Sequence, residues 1–198
     1  MSAIITEKFR QHNANQFFES FTEASASTYY LFIGKSSAFT ASTTTGSDSS
    51  PPTPADAVGE IQYYAWDSML AAKKISSSDV TYALPRRNWT TGTTYDMYEH
   101  NISSSNAANS GATNLFDSTF VVMNSSFAVY KVIENDGATA STVEPTSTSN
   151  SIFETSDGYR WKYMYSLTSA ETLNFMSTDF IHVSTDSTVS AAAVDGAL

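Results

Sequence analysis

Residues 159–167 place the strongest constraint on the fold, because large apolar side chains occupy every second position there. The apolar positions are Tyr159, Trp161, Tyr163, Tyr165 and Leu167, and between them lie Arg160, Lys162, Met164 and Ser166. A period of two is typical of a β-strand with one face in a core and the other in water. The chain must therefore form a sheet that packs on one side.

Hydroxyl side chains dominate the rest of the composition. Serine and threonine make up 57 of the 198 residues, whereas charged residues make up only 15%. The stretches 35–53 and 138–151 are rich in Ser, Thr, Gly and Pro, which is typical of loops. Aromatic residues make up 13% of the chain, enough large apolar surface for a packed core. The sequence thus indicates strands joined by long Ser/Thr-rich loops.

Two helices are predicted in the N-terminal part of the chain. Residues 6–23 place aromatic side chains at helical spacing, so we expect this helix to pack its aromatic face inward. A second helix is predicted near 54–75, with Thr53 as its N-cap and Pro54 at its first position. Further along the chain, residues 168–171 form a capping box that predicts a short helix through Met176.

Residues 28–33 are β-branched or aromatic without polar interruption, which predicts a strand buried on both faces. Further strands are predicted at 80–84, 94–98, 119–123, 127–134 and 180–183, with 119–134 as a hairpin. The predicted fold is mainly β (α+β): an antiparallel β-sandwich with an N-terminal helix, a second helix near 54–75 and long loops.

The predicted organisation has three parts. The N-terminal helix and first strand occupy 1–34, an exposed Ser/Thr/Pro loop occupies 35–53, and the second helix and β-sandwich part occupy 54–198. We expect 1–34 to pack with the last part as one domain.

Several kinds of chemistry find no support in the sequence. Cysteine is absent, and His12, His100 and His182 have no metal-ligand spacing. Glycine-rich phosphate loops and known nucleophile motifs are also absent, so no catalytic residue, cofactor or metal is expected. The sequence does not decide whether two carboxylates form a site for glycoside hydrolysis, because such a site depends on their separation in space and not on their spacing in the sequence.

Charge and hydropathy exclude two classes of partner. Twenty acidic and ten basic residues give a net charge of -10, which repels phosphate backbones, so no nucleic-acid partner is expected. The densest apolar run, 29–33, is far shorter than the roughly 20 residues of a spanning helix, so no membrane insertion is expected.

Five residues are candidates for a protein interface: Arg86, Arg87, Trp89, Asp157 and Tyr159. Two guanidinium groups beside an indole suit recognition of carboxylates on another chain. The arginines equally suit pairing with carboxylates of this chain, and we favour that intrachain role. For Asp157 and Tyr159, a turn that leads into the following strand is favoured over direct binding.

Four motifs together resemble one protein family. They are residues 6–10 (TEKFR), 30–36 (YLFIGKS), 84–89 (LPRRNW) and 157–163 (DGYRWKY). In this order they resemble the baseplate wedge subunit of T-even-like contractile-tailed bacteriophages, gene product eight. The resemblance extends over residues 6–183.

The resemblance implies a non-enzymatic virion protein of the tail baseplate, assembled in the host cytoplasm. Such a protein forms a homodimer, binds the other wedge proteins and transmits rearrangement during tail contraction. The family's proteins are longer, so the resemblance also implies that a C-terminal portion is lacking. A carbohydrate- or receptor-binding tail protein is the alternative, indicated by the aromatic residues and the hydroxyl-rich surface.

Overall fold

The computed structural model describes residues 7–23, 25, 27–34, 47, 49–50, 63 and 66–184. The helices and strands, in chain order, are α1 (Glu7–Glu19), β1 (Tyr29–Gly34), β2 (Met69–Ile75), a 3-10 turn (Ser77–Asp79), β3 (Ala83–Pro85), β4 (Val121–Met123), β5 (Ala128–Asn135), β6 (Phe153–Glu154), β7 (Tyr159–Ser166), α2 (Ser169–Phe175) and β8 (Phe180–His182). The strands pair antiparallel, and the mainly β fold with an N-terminal helix is confirmed.

The chain divides into two compact units, Met1–Val80 and Thr81–Leu198. The prediction that 1–34 and 54–198 pack as one domain stays a prediction. The predicted loop at 35–53 lies outside the described residues, apart from positions 47, 49 and 50.

In the first unit, α1 leads into a small aromatic cluster at the start of β1. The rings of Phe17 and Phe21 lie 5.2 and 4.7 Å from the ring of Tyr29, and Ser20 Oγ is hydrogen-bonded to Tyr29 Oη at 2.9 Å. Phe21, at 7% exposure, is the one buried apolar residue in the described part of this unit. Phe9 and Phe17 are more than half exposed, so the expected inward aromatic face of the helix forms only in part.

The predicted second helix is wrong over its last seven residues. Tyr63 and residues 66–68 are helical, but Met69–Ile75 form β2, which pairs with β1 from Met69 to Ile75 with Leu70 as an extra residue. The sequence of β2 contains leucine, alanine and lysine, which favour helices locally. The backbone of β1 needs hydrogen-bond partners, and pairing with it overrides that weak local preference. Thr53 and Pro54 lie outside the described residues.

The second unit is built on a four-stranded sheet in the order β4, β5, β7, β6. The predicted hairpin at 119–134 is confirmed, because β4 pairs with β5. A separate ladder joins β3 to β8. The sequence missed β6, which has only two residues, and the strand predicted at 94–98 is wrong. That segment instead buries Tyr95 and Asp96 without joining a ladder.

The sheet of the second unit carries a core on each face. The first cluster is largely aromatic and contains Tyr95, Val122, Ala128, Tyr130, Val132, Tyr159 and Trp161. The second cluster contains Met123, Val129, Leu167 and Ile181, with Leu84, Val121, Tyr165 and Met176 packed against it. Leu84 and Ile181 belong to the β3–β8 ladder, so this ladder covers the second face as a second layer of strands.

A β-bulge lets β7 contribute to both cores. Val129 pairs with Tyr165 and Tyr130 pairs with Tyr163, so Met164 is an extra residue without a partner in β5. A bulge of this kind interrupts the alternation of faces. Tyr163 therefore packs with the first cluster and Tyr165 with the second, although strict alternation would place both on one face.

Replacing Tyr130 with Phe is expected to leave the free energy of unfolding unchanged or to raise it. Tyr130 Oη is buried without a hydrogen-bond partner among the described residues, and an unpaired buried hydroxyl is unfavourable. The matched control is Tyr159→Phe. Tyr159 Oη donates to Thr139 O at 2.6 Å and accepts from the Tyr95 N–H at 3.2 Å.

The control variant is expected to lose about 1–3 kcal/mol, because it leaves buried partners unsatisfied. Urea unfolding of the two variants measures the difference. Equal destabilisation by both substitutions would contradict the assignment of Tyr130 Oη as unpaired.

Candidate protein-interaction surface

The two predicted interface arginines are both engaged by backbone carbonyls of their own chain. Arg87 Nη2 donates to Phe116 O and Asp117 O, each at 2.9 Å. Arg86 Nη1 donates to Ser177 O at 2.9 Å. Burial lowers the pKa of the Arg87 guanidinium, although the nearby carboxylate of Asp117 opposes this, and an arginine stays charged in either case.

Trp89 is half-buried against the first core cluster. Its Nε1–H donates to Ser141 Oγ at 3.0 Å, and Ser141 Oγ donates in turn to Asp157 Oδ2 at 3.1 Å. The structure therefore links Trp89 with Asp157 through one buried hydroxyl. No such link to Arg86 or Arg87 occurs among the described hydrogen bonds.

The Asp157 carboxylate anchors the loop that precedes β6. It accepts hydrogen bonds from the backbone N–H groups of Thr142 and Val143 at 2.8 and 2.9 Å, and from the hydroxyls of Ser141 and Thr155. Burial raises the pKa of Asp157, but these hydrogen bonds together outweigh it and lower the pKa below its usual value.

Asp157 and Gly158 form the turn between β6 and β7. Gly158 has a φ of +82°, and a Cβ at this position would lie 2.7 Å from Asp136 Cγ, so glycine is required. Tyr159 follows the turn, is fully buried and stacks on Trp161 at 5.4 Å. Asp157 and Tyr159 therefore have the geometry of a turn that leads into the following strand, which is the role that the sequence favours for them.

The structure thus gives each of the five candidates a role within its own chain, and their role in a protein interface stays a prediction. A second carboxylate that receives several hydrogen bonds, the buried Asp96, was missed by the sequence reasoning. Asp96 accepts from the backbone N–H groups of Ser110 and Thr119 and from the hydroxyls of Ser110 and Ser118, at 2.6 to 3.0 Å. Burial raises its pKa, but the hydrogen bonds lower it on balance. It therefore fixes the loop between Ser110 and Thr119.

A third cluster joins residues far apart in the sequence. His182 Nδ1 is hydrogen-bonded to Thr81 Oγ1, and His182 Nε2 lies 3.2 Å from Glu171 Oε1. Glu171 also completes the capping box of α2, where its Oε2 accepts from the Thr168 N–H at 2.7 Å. The hydrogen bonds with Thr168 are the main reason that the pKa of Glu171 is lowered. The cluster attaches β8 to α2, and the capping box was its sole sequence signal.

Within the part of the chain that the structure describes, no three ligating side chains of His, Asp or Glu converge on a possible metal position. No helix in that part is both long enough and apolar enough to span a membrane.

The largest departure from ordinary packing is an apolar surface on the first unit. The β1 residues Tyr30, Leu31, Phe32 and Ile33 are 66%, 60%, 44% and 62% exposed. Other large apolar side chains of the unit are exposed as well, namely Phe9, Phe17, Tyr63, Trp66, Met69 and Leu70. We call this set the N-terminal apolar surface. Four consecutive exposed apolar side chains on one strand are uncommon in soluble monomers, and exposed apolar surface of this kind marks interaction sites.

Comparison with known protein families identifies the family of this chain. A family model described as Bacteriophage T4, Gp8 matches residues 3–142, which include β1, β2 and the two arginines. No curated protein matches the sequence.

Replacing Arg87 with Ala is expected to lower the free energy of unfolding by about 1–2 kcal/mol, because the carbonyls of Phe116 and Asp117 lose a charged donor. The control is Arg160→Ala. Its ion pair with Glu134 is about half exposed on both sides, so its loss is expected to change stability by less than about 0.5 kcal/mol. Thermal unfolding measures both. Equal effects would show that the Arg87 contacts contribute nothing beyond a surface ion pair.

Replacing Asp157 with Asn is expected to destabilise the protein by about 1–3 kcal/mol at pH 7. The NH2 group of asparagine would face the backbone N–H groups of the loop, and two donors cannot form a hydrogen bond. The difference from the wild type should shrink in acid. A carboxyl whose folded pKa lies below its ordinary value of 3.8 stabilises the fold above that value, and this stabilisation is lost as the pH falls through the folded pKa. Urea unfolding between pH 7 and pH 2 measures it. A difference independent of pH would contradict the role of the carboxylate charge.

Proposed function

Because the chain belongs to the family of the bacteriophage T4 baseplate wedge protein Gp8, we propose that it holds neighbouring wedge subunits together and transmits their rearrangement during tail contraction. The family is one of baseplate structural proteins. The proposal for this chain adds the binding of specific neighbours and the response to contraction.

The N-terminal apolar surface is the observation that carries the proposal. Water contact with so much apolar area is unfavourable by roughly 25 cal/mol per Å², and covering it would supply the driving force for association. The second unit carries buried clusters on both faces of its sheet, whereas Phe21 is the one buried apolar residue in the described part of the first unit. This difference supports a role in binding partners for the first unit and a scaffold role for the second.

The proposal includes further points that the resemblance implies. The protein acts without catalysis and without a cofactor, forms a homodimer within the assembly, and passes through the host cytoplasm before it enters the virion. Catalysis would require a reactive group that is poised for chemistry. The carboxylates of Asp96 and Asp157 instead receive several hydrogen bonds each, which supports a structural role for them.

The test is co-purification of the full chain with the other wedge subunits of the same baseplate. Wild-type protein should co-elute with them in size-exclusion chromatography, and the double variant Tyr30→Ser with Phe32→Ser should bind at least tenfold more weakly. Burial of either ring is worth about 1.5–3 kcal/mol, and 1.4 kcal/mol corresponds to tenfold in affinity.

The matched control is the double variant Phe116→Ser with Leu173→Ser, which removes two exposed apolar side chains of the second unit, 59% and 85% exposed. This variant should assemble like the wild type. Absence of co-elution for the wild type would overturn the proposal, and specific binding on a glycan array would favour the carbohydrate-binding alternative.

A further inference from the structure

The strand β1 occupies a position that its sequence does not fit. Six residues, Tyr29–Gly34, contain no charged side chain and no proline. An apolar run of this kind is typical of a central strand, with neighbours on both edges and cover on both faces. Among the described residues β1 pairs only with β2, in a sheet of two strands, and its side chains are largely exposed. A two-stranded sheet alone is marginally stable in water.

The other edge of this sheet is formed by β2, which is positively charged. β2 carries Lys73 and Lys74, and lysine on an edge strand is a common protection against pairing with another chain. The described residues give the outer edge of β1 no such protection, because Tyr29–Gly34 contains no charged residue and no proline. Of the two edges of the sheet, the edge of β1 is therefore the one suited to accept a further strand.

Resting on the proposed function, we propose that β1 accepts an extended segment of a neighbouring baseplate subunit, which adds a third strand to the β1–β2 sheet. The segment has apolar side chains on both faces and carries a carboxylate on the face of Tyr30 and Phe32. Its backbone satisfies the outward-facing N–H and C=O groups of β1, and its side chains cover those of β1.

Charge complementarity supports the carboxylate. Together β1 and β2 carry two lysines and no acidic residue. Lys73 is already paired with Asp79, whose pKa is lowered to about 2 mainly by that hydrogen bond. Lys74 lies opposite Tyr30 in the ladder and has no ion pair among the described residues.

Distance also permits this pairing. Adjacent strands lie about 4.8 Å apart, so the added strand would lie about 10 Å from β2. The long side chains of lysine and glutamate can together cover that separation across the ring of Tyr30. A carboxylate on the added strand can therefore reach Lys74.

A second copy of this chain meets these requirements less well. Its β1 offers no carboxylate to Lys74, and its β2 would bring further lysines. A neighbour of different sequence is the occupant that the charges favour.

Hydrogen–deuterium exchange of the full chain tests this, first alone and then in complex with the co-expressed wedge subunits. In the free chain, the outward-facing amides among residues 29–34 should exchange rapidly. In the complex they should slow by at least tenfold, whereas the outward-facing amides of 69–75 should not change.

A complex that forms without slower exchange at 29–34 would overturn this inference and leave the proposed function standing. The absence of any complex would overturn both. Slow exchange at 29–34 in the chain alone, accompanied by a dimer in sedimentation, would identify a second copy as the occupant and would also overturn the inference.

A pair of variants at one register position gives an independent test. Ile33 and Ala71 lie opposite each other in the ladder, and both are exposed. Ile33→Lys places a charge on the accepting strand and should weaken the complex at least tenfold. Ala71→Lys places the same charge on the protected strand and should not. Equal effects of the two variants would contradict pairing at β1.

The charge of the partner is tested by Lys74→Glu. This variant should weaken the complex at low salt, and the effect should be smaller in 0.5 M salt because exposed charges are screened. Tighter binding by the variant would overturn the proposed carboxylate. Circular dichroism and thermal unfolding of each variant alone confirm that the fold is retained.

Discussion

The bulge at Met164 is the constraint on which the second unit depends, because it allows one strand to contribute to two cores. Without the extra residue, the aromatic side chains of β7 would all face the same side of the sheet. With it, Trp161 lies in one cluster and Tyr165 packs against the other. The β3–β8 ladder and the aromatic cluster are then held by the same continuous backbone.

Loops that contain few apolar residues are fixed to this sheet by carboxylates that accept several hydrogen bonds each. Asp157 binds the backbone at Thr142 and Val143, and Asp96 binds the backbone at Ser110 and Thr119. Hydrogen bonds to a charged acceptor are stronger than those between neutral groups. A protein rich in serine and threonine can thus order long connections with few acidic residues, and this explains how so hydroxyl-rich a chain holds its loops in place.

Elements with a strong local pattern were predictable from the sequence. The alternation in 159–167 and the capping box that starts α2 both reported local geometry, and both elements form. The strand β2 was not predictable, because its helix-forming residues are overridden by pairing with a strand 35 residues or more away. The burial of Asp96 and the cluster around His182 were also hidden, since their partners are distant in the sequence.

The exposed strand β1 has a kinetic consequence for the cell that makes this protein. Pairing with a partner proceeds at a rate proportional to both concentrations, whereas edge-to-edge stacking of the free chain rises with the square of its own concentration. An uncharged strand without proline is a template for such stacking. Under the proposed pairing of β1, balanced synthesis of the chain and of its partner would protect the pool of newly made subunits from aggregation.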